Sequence, residues 1–86
     1  FRLNSLTRGE ALDRRRWIDS LIQKHDRSLV RYADLFLKDA EAAQDVVEAV
    51  YLSLVTLKTP PADERMTEWL FRECRKRALD FWRKSQ

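Results

Sequence analysis

The chain of 86 residues has one glycine, one cysteine, one histidine and one methionine, and its two prolines stand side by side at Pro60 and Pro61. Each scarcity excludes something. So little turn chemistry, with no alternating apolar runs, leaves nothing to build hairpins from and predicts an all-α domain. One cysteine and one histidine make neither a disulfide framework nor a zinc site of recognisable ligand spacing. No metal or cofactor is expected, and Cys74 reads as a small core residue in a reducing compartment. No apolar run approaches the roughly 20 residues that span a bilayer, and no signal-peptide pattern opens the chain, which predicts a cytoplasmic protein without membrane insertion. There is no glycine-rich phosphate loop, no GK[ST] sequence and no nucleophile spaced to form a triad with His25, so enzymatic activity is not expected. The length suits one domain, residues 1–86, with a modest core. A start at Phe1 and an uncapped, charged end predict that it is a piece of a longer protein.

What is present is charge, segregated along the chain. Seventeen basic and fourteen acidic residues give a formal charge of +3. Between Arg72 and Lys84, six basic residues meet only Glu73 and Asp80, and Trp69, Phe71, Phe81 and Trp82 are interleaved with them. At about 100° per residue, Arg72, Lys76 and Arg83 fall on one helical stripe, with Trp69 and Leu79 beside it. Met66, Leu70, Cys74, Ala78 and Phe81 fall on another, which predicts one side for a core and one for a polyanion. Cations attract phosphates without regard to sequence, and aromatic faces stack on unpaired bases.

Upstream, no basic residue occurs from Asp39 to Leu57. Asp39 is a candidate N-cap, and Ala43, Val46, Val47, Val50, Tyr51 and Leu54 recur at helical spacing as a core face. Glu41, Asp45 and Glu48 lie opposite with Leu52 among them, an acidic surface suited to a basic protein partner. Both charged faces are equally compatible with plain solvation. A first helix is predicted from about Gly9 to Lys24 behind a Thr7–Glu10 capping box, with Leu12, Trp17, Ile18 and Leu21 as its apolar positions. The pattern changes phase near His25 and Asp26. A second helix over Leu29, Tyr32, Ala33, Phe36 and Leu37 follows, so the expectation is a compact bundle of about four helices. Pro60 and Pro61 end the acidic helix, and the last helix begins between Asp63 and Thr67.

The run DAEAAQDVVEAVYLSLV from Asp39, followed after a short loop by EWLFRECRKRALDFWR from Glu68, resembles region 2 of bacterial RNA polymerase sigma factors. The resemblance is nearest to the extracytoplasmic-function group, and it extends back through LVRYA at Leu29–Ala33 to about Arg15. It implies a sigma region 2 fold and a role in transcription initiation. The third helix would dock on the coiled coil of the polymerase β′ clamp through Glu41, Asp45, Glu48 and Leu52. The loop and last helix would engage the non-template strand of the promoter minus-ten element through Arg65, Thr67, Trp69, Arg72, Arg75, Lys76 and Arg83, with Trp69 serving as a wedge or as a structural anchor. An anti-sigma factor is a further implied partner. The chain departs from the family pattern at Lys76, where an Asn is common, at Glu73 and Cys74 for Ile and Ala, at Glu48 for a frequent Gln, and in a loop with two prolines and no aromatic. Lysine holds phosphate but lacks the paired donor and acceptor of an amide. These departures keep a second function in view: a sigma-like interaction module that binds polymerase or an anti-sigma factor without reading DNA sequence. The helix-turn-helix domain that most sigma factors carry for the upstream promoter element has no room in this length.

Overall fold

The computed structural model describes residues 8–85, which form α1 (Arg8–Leu37), α2 (Ala40–Thr56) and α3 (Asp63–Lys84). Thr7 of the expected capping box lies outside the described residues. Each helix packs on the other two. At 1.5 Å rise, the 30 residues of α1 span about 45 Å, which sets the 44 Å long dimension of the molecule.

There are three helices rather than about four, because α1 runs unbroken through His25 and Asp26. His25 is itself a core position, 5% exposed. Counted as inward-facing, it restores a continuous stripe of Ile18, Leu21, Ile22, His25, Leu29, Tyr32, Ala33 and Phe36, and the change of phase disappears. Burial is tolerated because both ring nitrogens are bonded. Nδ1 lies 3.1 Å from the Leu21 carbonyl and Nε2 lies 3.0 Å from Thr67 Oγ1. A carbonyl only accepts, so Nδ1–H donates there, and Nε2 pairs with the Thr67 hydroxyl. The pair ties α1 to the start of α3.

α1 ends on Lys38, whose φ of 53° is left-handed and whose N–H donates to the Asp34 carbonyl at 2.7 Å. That single bond back to the last turn is the αL way of closing a helix, made here without the usual glycine. Asp39 follows immediately as the N-cap of α2, its carboxylate accepting from the Glu41 and Ala42 amides at 3.0 and 3.1 Å. Two residues thus turn the chain from α1 into α2. The linker after Thr56 carries Pro60 and Pro61, and α3 begins at Asp63. Its N-cap, Ala62, offers no side-chain bond, while Asp63 and Glu64 complement the helix dipole.

The core is built as the apolar spacing predicts from Ala43, Val46, Val47, Val50, Tyr51 and Leu54 of α2 and Met66, Leu70, Cys74 and Ala78 of α3, closed by Leu29 and Ala33. Tyr32 stands edge-on to both Phe36 and Phe71 at 5.2 Å between centroids, adding an aromatic joint between α1 and α3. The Cys74 thiol donates to the Leu29 carbonyl at 3.7 Å. Two predicted core positions stay outside. Leu12 is exposed because the first turns of α1 extend past the other helices. Phe81, 42% exposed, sits at the mouth of the α2–α3 groove, covered on one side only.

Candidate docking and nucleic-acid interfaces

Because every helix contacts both others, their outward faces point in three different directions. On α2 that face carries Glu41, Asp45, Glu48 and Leu52, all exposed, with Leu52 at 59%. Two grooves flank it. Asp45 borders the α2–α3 groove with Val46, Ala49, Arg77, Asp80, Phe81 and Lys84. Glu48 borders the α1–α2 groove with Ile22, Asp26, Val30, Gln44 and Tyr51.

On α3, Arg72, Arg75, Lys76 and Arg83 rim one shallow depression around Leu79 and Asp80. Arg72 is held at 2.8 Å by Glu68, and Arg83 lies 3.7 Å from Asp80. Both pairs are well exposed, so each contributes little and opens at small cost to a competing phosphate. Arg75 and Lys76 make no ion pair among the described residues. Arg77 belongs to the interior side, bonded to Glu73 at 2.9 Å and to Ser53 of α2.

The remaining predicted residues are placed otherwise. Arg65 and Thr67 lie within the first turns of α3, not in a loop, since the helix starts at Asp63. Thr67 is about 13 Å along the axis from Lys76, and its hydroxyl is engaged by His25. Trp69 is half-buried and packs against the core. Trp82 is 49% exposed.

The comparison with protein families decides what these faces belong to: the family Sigma-70 region 2 matches residues 21–86. The chain belongs to this family. No curated protein and no solved structure matches the chain. Membership makes this a sigma-factor domain of transcription initiation, a family whose partners are RNA polymerase and promoter DNA. Among the described residues, no helix is long and apolar enough to cross a membrane.

Two features of this sigma-70 region 2 domain escape the sequence reading. Lys24, Arg27 and Arg31 share the outward face of α1 with Leu35, which is 72% exposed, and Lys38 follows just past the helix end. The spacing of three and four residues within the helix is the available signal, obscured by the break expected at His25. The second is the α1–α2 groove, whose two sides come from residues at least 14 positions apart. There the Tyr51 hydroxyl is buried with the Asp26 carboxylate beside it. Burial, and after it the charge of Asp26 and hydrogen bonding to it, push that phenol well above its ordinary ionisation range.

Proposed function

We propose that this domain is the polymerase-docking and promoter-melting module of an extracytoplasmic-function sigma factor. In this reading Glu41, Asp45, Glu48 and Leu52 dock on the coiled coil of the β′ clamp, and the cationic side of α3 holds the non-template strand of the minus-ten element. The observation that carries it is the segregation of charge onto two helices of one bundle: carboxylates around an exposed leucine on α2, and four basic side chains around one depression on α3. A large basic partner and a single DNA strand can then be bound at once without competing for the same surface.

The chemistry suits melting. Extruding a base costs a few kcal/mol, and a cationic track beside the unpaired strand offsets that cost by trapping the open state. Arg72, Arg75, Lys76 and Arg83 supply the track, and the half-exposed indole of Trp69 supplies a surface for a base. Arg65, on the same helical stripe as Arg72, extends the strand-facing side toward the start of α3, whereas the Thr67 hydroxyl is held by His25 of α1.

A second reading, a sigma-like module that binds polymerase or an anti-sigma factor without reading DNA sequence, is favoured by Lys76 in place of an amide and by the Pro60–Pro61 linker without an aromatic. Fluorescence anisotropy with single-stranded minus-ten oligonucleotides and scrambled controls separates the two. Tighter binding of the minus-ten strand is expected; equal binding of all sequences would leave only the second reading. Co-purification with core polymerase is expected under the first reading; its failure would remove that reading and leave the second only in its anti-sigma form.

A further inference from the structure

The α1–α2 groove, of about 330 Å³, presents two carboxylates from different helices, Asp26 and Glu48, between the apolar flanks of Ile22 and Val30. Among the described residues, neither carboxylate has an ion-pair partner and no lysine or arginine lines the groove. Gln44 adds an amide at the rim, and Tyr51, 8% exposed, adds a buried hydroxyl beside Asp26.

We infer that this groove is a receptor for one arginine side chain of the protein surface on which α2 docks. An arginine matches it along its whole length. The apolar stem lies against Ile22 and Val30, and the planar guanidinium distributes its five N–H donors over Asp26, Glu48, the Gln44 carbonyl and the Tyr51 oxygen. Charge-assisted forks of this kind are the strong hydrogen bonds of interfaces. A metal ion is a poorer match, since no group of three potential ligands is gathered among the described residues and the phenol there resists deprotonation.

The inference rests on the reading that α2 faces polymerase, and it adds a specific anchor beside the diffuse acidic surface. The test measures affinity of the full chain for core polymerase, with thermal unfolding and single-strand DNA binding alongside, for Asp26→Asn, Tyr51→Phe and Leu52→Ala. Asp26→Asn is expected to weaken polymerase binding about tenfold, with melting temperature and DNA affinity as in the parent, because the removed charge has no ion-pair partner among the described residues and the amide oxygen can still accept from Tyr51. Tyr51→Phe is expected to weaken it about threefold and to keep the fold. If Leu52→Ala loses polymerase while Asp26→Asn and Tyr51→Phe both bind like the parent, the groove holds no arginine and the docking reading stands alone. If all three bind like the parent, the docking reading falls and the groove inference with it.

Discussion

His25 is the buried polar side chain among the described residues, and its two bonds decide what substitution at Thr67 does. Thr67→Val leaves the imidazole Nε2 without a partner, so stability should fall by about 1–3 kcal/mol, read as a lower urea midpoint. Thr67→Ser keeps the hydroxyl and should recover most of it. A polar residue at a core position carries no apolar signal, and for that reason sequence periodicity alone misplaces it. Cys74 is the opposite case, legible from its spacing with Met66, Leu70 and Ala78. Burial pushes its thiol from 9.0 up to about 11. The folded chain therefore holds this proton more tightly than the unfolded chain does, and so does the buried Tyr51 phenol. Stability should be unaffected by these groups below the unfolded thiol's pKa and should decline as pH rises from 9.0 toward about 11. Urea titrations across that range check the slope, and Cys74→Ala should make it shallower. The native thiol should also resist alkylation at neutral pH until the chain unfolds.

At the scale of the element, α2 is fully legible because three signals agree on it: an Asp cap, a wide apolar face and a proline stop. α1 is legible in extent but not in continuity, since His25 hides the one stripe that joins its halves. The last turn of α3 departs from expectation at Phe81 because a helical wheel assumes a cover along the whole face, and the groove leaves one side open. Helix ends give the sharpest stability tests. Asp39→Ala removes the acceptor for two amides and should cost about 1 kcal/mol. Lys38→Gly should stabilise by about 0.5–1 kcal/mol, as a left-handed position favours a residue without a Cβ. Ala62→Ser, which supplies the missing cap of α3, should stabilise by a similar amount of about 1 kcal/mol. Thermal unfolding of the three variants against the parent checks all of these, and the signs should differ as stated.

For the whole molecule, the packing of each helix on both others makes the charged faces independent surfaces. The sequence shows which residues are charged, but only the packed bundle shows that Arg77 turns toward α2 while Arg72, Arg75, Lys76 and Arg83 converge. It also reveals the cationic face of α1, which lies in a different direction. Neutralising Arg72 and Lys76 together should therefore lower affinity for a single-stranded minus-ten oligonucleotide and flatten the log–log salt slope by about 1.4, at roughly 0.7 for each phosphate that is no longer neutralised. Neutralising Arg27 and Arg31 on α1 should leave that slope nearly unchanged. The most direct test of the division between faces is one paired measurement on Asp45→Ala/Leu52→Ala and Arg72→Ala/Lys76→Ala, taking each protein's affinity for core polymerase and for the minus-ten strand under the same buffer. The account predicts that the first double variant loses polymerase and keeps the strand, and that the second loses the strand and keeps polymerase. Equal losses on both partners, or none on either, would contradict it.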